Sequence, residues 1–278
     1  MREKKRYRTI WISDVHLGAK ACRADVLLDF FKYNDSDTLY LVGDIFDGWA
    51  LKKSWFWDQA HNDVVQKVLR KGRKGTKIVY LPGNHDEFAR QFLPLRLASI
   101  EVLNRTVHET ADGKKLLVLH GDEFDGIVVN AKWLSHLGAW AYAFVLKLNG
   151  PFNRLRRLLG KPYWSLSAFL KYKTKRAVQF IADFERVLAE EAHNEGTDGV
   201  VCGHIHHAEI RTFDRGTLYC NCGDWVESCS ALVEHEDGRL EVIRWEPRPD
   251  EATPPRGLLT APIERVQRLR KARTASPV

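Results

Sequence analysis

Hydrophobic residues in this chain gather into short runs, each ended by a polar residue and often flanked by Gly or Pro. "RTIWISD" and "TLYLVGD" read as buried strands, and "TKIVYLP", "KKLLVLHGD" and "DGVVCGH" repeat the form. Each holds three or four apolar residues in succession, many of them β-branched, which suits central strands covered on both faces. Between them, "CRADVLLDFFKYN" and residues 55 to 71 carry helical spacing, and Gly72 stops the second. Strands alternating with helices predict an α/β architecture. From Ala208 to Trp245 the pattern changes to short strands, "AEIRTF", "GTLYCN", "SALVEH" and "RLEVIRW", with "EDG" at one reversal. Beyond Glu246 the chain becomes Pro- and Arg-rich, and "PIERVQRLRKAR" has the spacing of a basic surface helix.

Length and composition narrow the class. The 278 residues can bury a substantial core, as one large domain or a domain with an insertion. The longest apolar run, "GAWAYAFVL" at residues 138 to 146, is too short to span a bilayer. The basic start lacks the apolar stretch and small-residue cleavage site of a signal peptide. Five cysteines, an odd number, suggest a reducing cytosol rather than a disulfide scaffold. Cys220 and Cys222 lack a second Cys/His pair at zinc-finger spacing and read as strand and turn.

Charge changes the picture more. The formal balance is +7, but residues 126 to 182 hold ten Lys or Arg and no acid. Residues 2 to 8 add +4 and the tail from Arg248 another +4, so an acidic body of net −11 carries one basic middle segment and two basic ends. Such asymmetry points to an anionic surface or substrate.

Five strand ends carry the chemistry: "SDVH" (Asp14, His16), "GDIFD" (Asp44, Asp47), "GNHD" (Asn84, His85, Asp86), "HGD" (His120, Asp122) and "GHIHH" (His204, His206, His207). Each alone reads as a polar turn or a core histidine. Five in order, each after a hydrophobic strand, place polar groups where open α/β sheets build their sites. Asp, Asn and His without thiolates suit Mn, Fe or Zn ions held by oxygen and imidazole. Seven such groups exceed one ion's needs, and a bridging carboxylate, here Asp44, divides them around two ions roughly 3.5–4 Å apart. That arrangement supports attack on phosphorus. His85, beside Asn84, is then spare for the leaving group, and Asp47 can orient it.

This ordered set resembles the calcineurin-like metallophosphoesterases, with motifs from Asp14 to His206 and strands to about Trp245. The resemblance implies a four-layer α/β/β/α sandwich holding two divalent metal ions. One ion would take Asp14, His16, Asp44 and His206, and the other Asp44, Asn84, His120 and His204. His85 would contact the phosphate or protonate the leaving oxygen, with Asp47 as its partner. The expected organisation is a phosphoesterase domain over residues 1–246, a helical cap inserted at 126–193, and a basic tail over 247–278.

The insertion mixes Lys and Arg with Trp133, Trp140, Trp164 and other aromatics, and Ala177, Ile181, Phe184 and Leu188 form a helical stripe. It reads as a packed cap, a surface lying in a membrane interface, or both. Its place and length make the chain similar to the UDP-2,3-diacylglucosamine diphosphatases of lipid A biosynthesis. Those are peripheral enzymes of the inner membrane face that use manganese and release UMP and 2,3-diacylglucosamine 1-phosphate. That branch has Arg where this chain has His85. Candidate substrate contacts are Asp125, Lys171, Lys175 and Arg176. Other expectations stay open: a different lipid phosphodiester or pyrophosphate, a metal-dependent nuclease drawn by phosphate charge, or a scaffold without chemistry. The hydrophobic character of the basic segment weighs against nucleic acid, and the complete set of seven ligand-type residues weighs against the scaffold.

Overall fold

The computed structural model describes residues 3–97, 99–128 and 175–247, the side chains of 97, 127–128 and 175–179 excepted. It opens with β1 (Lys5–Ile12), α1 (Ala24–Tyr33), β2 (Asn34–Val42), α2 (Gly48–Lys53), α3 (Gln59–Arg73) and β3 (Lys77–Leu81). Short strands β4 (Leu95–Leu97), β5 (Ile100–Val102), β6 (Thr106–Glu109) and β7 (Lys115–Val118) follow, then α4 (Asp125–Val128) and α5 (Lys175–Asn194). The described chain ends with β8 (Gly199–Cys202), β9 (Glu209–Thr212), β10 (Leu218–Asn221), β11 (Ser230–Glu234) and β12 (Leu240–Arg244).

Two sheets form. The first has the order β12-β11-β1-β2-β3-β5-β4 and the second β6-β7-β8-β10-β9. Parallel pairing joins β1, β2, β3 and β5 in the first, and β7, β8 and β10 in the second. The unbroken apolar runs now have their reason, because alternate residues serve two different cores. Trp11, Tyr40, Val42, Leu116 and Val118 meet between the sheets. Ile10, Ile12, Leu39 and Leu41 face the other way, onto Leu27 and Phe30 of α1 and Val64 and Val68 of α3. Leu117, Leu119 and Val200 face outward onto Ile181, Phe184 and Leu188 of α5. The layers run helix, sheet, sheet, helix.

Some local expectations shift. Helix α3 starts at Gln59 rather than 55, because Asp58 caps it by accepting from the His61 amide at 3.0 Å. Helix α2 has no counterpart in the hydrophobic pattern, and none of its residues is buried. Of the expected cap, the described residues give only α4 and α5. The rest, including Lys171, lies outside them, as does the basic tail from residue 248 on.

Candidate metal centre

All five strand ends meet at one edge of the sandwich. Asp14 and His16 follow β1, Asp44 and Asp47 follow β2, and Asn84 and His85 follow β3, all from the first sheet. His120 follows β7, and His204 and His206 follow β8, from the second. Asp14, His16 and His206 offer donor atoms within 4.8 Å of one another, and so do Asp14, Asp44 and His120. Asp44 faces both halves: its Oδ2 lies 3.5 Å from His120 Nε2 and 3.9 Å from His16 Nε2. His206 Nε2 stands 3.1 Å from Asp14 Oδ1.

Backbone strain is concentrated here. Asp14, His16, Asp44, His204 and His206 all have left-handed backbone, with φ between +51° and +68°. Side-chain-bearing residues avoid that region, at a cost on the order of 1 kcal/mol each, unless their surroundings hold them there. The holding contacts are visible. Asp14 and His16 amides donate to the carbonyls of Gly43 and Asp44 at 3.0 and 2.9 Å. The His204 amide donates to Asp14 Oδ2 at 2.9 Å. Buried Asp86 accepts from the amides of Asp44, Ile45 and Gly83 at 3.2, 2.7 and 2.6 Å, so it clamps the loops rather than facing a ligand. A Cβ on Gly83 would lie 2.3 Å from Asp44 Oδ1, and one on Gly203 would lie 2.5 Å from Asp14 Oδ2. Only glycine admits those approaches.

The donor set fits divalent cations. Asp14 Oδ1, His16 Nε2, Asn84 Oδ1, His120 Nε2 and His206 Nδ1 are buried without a hydrogen bond. Each such atom costs about 1–3 kcal/mol unless something else satisfies it. The tautomers agree. His120 Nδ1 donates to the Val42 carbonyl at 2.9 Å, which leaves the Nε2 lone pair for a cation. His204 Nε2 is 2.7 Å from Asp125 Oδ1, which leaves its Nδ1. Electrostatics agree as well. Burial pushes the His16 and His120 imidazoles down, but Asp14 and Asp47 around the first and Asp44 beside the second raise each to about 10. The carboxylates therefore call for positive charge in this basin. Burial likewise pushes the Asp44 carboxyl up, and the neighbouring His120 and His16 overcome it and hold it low.

His85 sits at the rim. Its Nδ1 is 3.0 Å from Asp47 Oδ1, the same oxygen that accepts the Ala50 amide at 2.8 Å and caps α2. The His85 amide donates to Asp44 Oδ1 at 2.8 Å. Burial pushes the Asp47 carboxyl up, but bonds from His16, His85 and the Ala50 amide hold it well below the usual range. The imidazole packs edge-on to His16 at 4.6 Å and tilts against Trp49 at 4.1 Å.

Of the remaining candidates, Asp125 opens α4 and contacts His204. Lys175 and Arg176 open α5, with side chains outside the described set. His207 leaves the basin and turns to Glu185 and Glu209 at 3.7 and 3.5 Å. Sequence reasoning missed Trp49, although "DGW" follows Asp47 directly. It also missed Arg90, whose guanidinium pairs with both Asp122 oxygens at 2.9 and 2.7 Å and ties the "GNHD" loop to the "HGD" loop.

Known proteins resemble this chain to different extents. A UDP-2,3-diacylglucosamine hydrolase of Shewanella sp. is 24% identical over 240 residues, 83% of this chain and 95% of that protein. One from Xanthomonas campestris pv. campestris is 26% identical over 254 residues, 83% of this chain and 96% of that protein. Among solved structures, a Vps29 variant from Entamoeba histolytica aligns over 86% of this chain and 99% of its own, at 12% identity and a TM-score of 0.40. Residues 7–208 match the calcineurin-like phosphoesterase family, and the chain belongs to that family of metal-dependent hydrolases.

Proposed function

We propose that the chain is a di-metal pyrophosphate hydrolase acting on a lipid-linked substrate of the UDP-2,3-diacylglucosamine type, with UMP and 2,3-diacylglucosamine 1-phosphate as products. The observation that carries the reaction class is the basin itself: buried, unsatisfied oxygen and nitrogen donors from two sheets converge on it. The substrate class is supported by hydrolases of that name that match 83% of the chain.

In this reading Asp14, His16, Asp44 and His206 hold one divalent ion, and Asp44, Asn84, His120 and His204 hold the other. Manganese suits the donor set, with iron or zinc as alternatives. Two bound cations supply an activated water and neutralise the phosphate oxygens. Asp47 holds the proton on His85 Nδ1, which leaves Nε2 on the side of the basin, 3.9 Å from Asp44 Oδ2. His85 then gives its Nε2 proton to the departing oxygen as the phosphorus–oxygen bond breaks. Asp125 acts through His204, which it holds in one tautomer. Lys171, Lys175 and Arg176 are assigned to the anionic parts of the substrate. Their basic segment draws the protein to the inner face of the cell membrane. No helix among the described residues is long and apolar enough to cross a membrane, and the proposed association is a peripheral one.

The test is hydrolysis of the UDP-linked diacyl sugar by purified protein supplied with manganese, with products identified by mass. UMP and the diacyl sugar phosphate are expected. Equal rates on diacyl and fully deacylated substrates would remove the lipid assignment. Turnover of simple phosphodiesters alone would remove the pyrophosphate as well.

A further inference from the structure

An open cavity of about 350 Å³ adjoins the rim of the centre, lined by Trp49, Lys52, His85, Glu87, Phe88 and Arg90 among others. That size falls within the usual range of small-ligand pockets. Its aromatic walls are unusually exposed: Trp49 keeps 49% of its surface in solvent and Phe88 46%. They stand in chain segments with different duties. Trp49 belongs to α2, whose cap is the same Asp47 that holds His85, and Phe88 belongs to the 3-10 turn Glu87–Phe92 after "GNHD". Gly48 lets the turn come close, since a Cβ there would meet the His85 carbonyl at 2.7 Å and the Phe88 ring at 3.6 Å. The His85 ring tilts against the indole at 4.1 Å, and about half of the Trp49 surface stays in solvent. Arg90 is committed to Asp122 and the Pro82 carbonyl, so among the described residues Lys52 is the cation of this lining left to meet a ligand, with the Glu87 carboxylate also on the wall.

We infer that this cavity is the leaving-group subsite, and that it takes a ring-bearing phosphate, with the ring on Trp49 and the phosphate on Lys52. The inference rests on the proposed role of His85. A proton can pass only to an oxygen within hydrogen-bond reach of Nε2, so the departing group must lie against the wall that His85 shares with Trp49. Water adds to phosphorus and gives one proton to solvent, the bond to the leaving oxygen breaks with its electron pair on that oxygen, and that oxygen takes the imidazole proton. A ring on the exposed indole gains stacking or C–H contact, and Lys52 meets the second phosphate as a point charge. The ring is either a sugar, which presents C–H groups to the indole, or a nucleobase, which stacks on it.

The test compares two substrates in the manganese-supplied enzyme: a ring-bearing pyrophosphate diester and a diester with a methyl leaving group. The readout is the ratio of their kcat/KM values. Trp49→Ala should lower that ratio by ~10-fold or more, as loss of one stacking platform does, and Trp49→Phe should restore most of it. Inhibition by a hexose 1-phosphate and by UMP identifies the ring, because the inhibitor that weakens in Trp49→Ala is the one seated on the indole. Lys52→Ala should weaken the same inhibitor. A ratio that stays constant while both rates fall makes Trp49 a prop for His85 and overturns the subsite. Neither inhibitor weakening overturns it too. A wild-type enzyme that hydrolyses neither diester contradicts the proposed function instead, and metal content measured in parallel separates that failure from loss of the ions.

Discussion

Asp44 concentrates the chemistry in one side chain: a left-handed backbone, a hydrogen bond to the His85 amide, and an oxygen facing two imidazoles. Asp44→Asn keeps the side-chain shape, tolerates the left-handed backbone and retains an oxygen for the His85 amide, while it removes the charge. Hydrolysis should be abolished and bound metal reduced, with an unchanged circular dichroism spectrum. Full activity in that variant would end the two-ion reading. His85→Ala should keep both ions and lose roughly 10²–10⁴ in rate. The loss should shrink for a nitrophenolate leaving group, which needs no proton, and an equal loss on both would make His85 a phosphate-binding residue. These residues were legible because chemistry restricts their types and chain order fixes their sequence. Asp86 and Asp122 carried the same signal and do other work. From letters alone a carboxylate that clamps amides, or pairs with Arg90, looks like one that faces an ion.

Elements were legible where burial imposes periodicity. Of the predicted stripe, Ile181, Phe184 and Leu188 are buried on α5, with Phe184 fully buried, 5.7 Å from the His204 ring and against Gly121, while the Ala177 side chain lies outside the described set. Phe184→Ala should therefore cost about 3–5 kcal/mol, measurable by urea unfolding, and should weaken metal binding through His204. A loss below 1 kcal/mol would mean that α5 is not packed as described. Helix α2 escaped the sequence reading because six residues with nothing buried leave no period. Its cause is local: the Asp47 cap, whose other duty is holding His85. Which strands pair was equally hidden, since apolar runs covered on both faces look alike in either sheet.

At the scale of the molecule, the two sheets are also fastened by a buried polar cluster. Glu234 of β11, fully buried, accepts from Arg8 at 2.7 Å, Thr9 at 2.8 Å and the Ala111 amide at 2.8 Å, and meets His108 of β6 at 2.9 Å. Burial pushes this carboxyl up, but His108, the Ala111 amide and Thr9 more than offset it, so it titrates below its ordinary 4.5. A depressed carboxylate stabilises the fold above its unfolded pKa, and that contribution fades as pH falls through the lower folded value. Urea midpoints should therefore drop from pH 5 downward, and Glu234→Gln should be less stable at pH 7 with a flatter acid limb. An equally steep acid limb in the variant would exclude Glu234 as its source. Loading with manganese should raise the thermal midpoint, and a chelator should reverse the gain, because ions bound only by the folded state stabilise it by mass action.

The hydrogen bond from the His204 amide to Asp14 joins residues 190 positions apart. Contacts of such separation form late, once loop closure across most of the chain has been paid for. A nascent chain still short of β8 therefore holds the ligands of the first sheet and His120, and lacks His204 and His206. Uptake of the full complement of ions during refolding is therefore expected to lag behind the burial of the first sheet, and stopped-flow metal binding followed beside tryptophan fluorescence checks it.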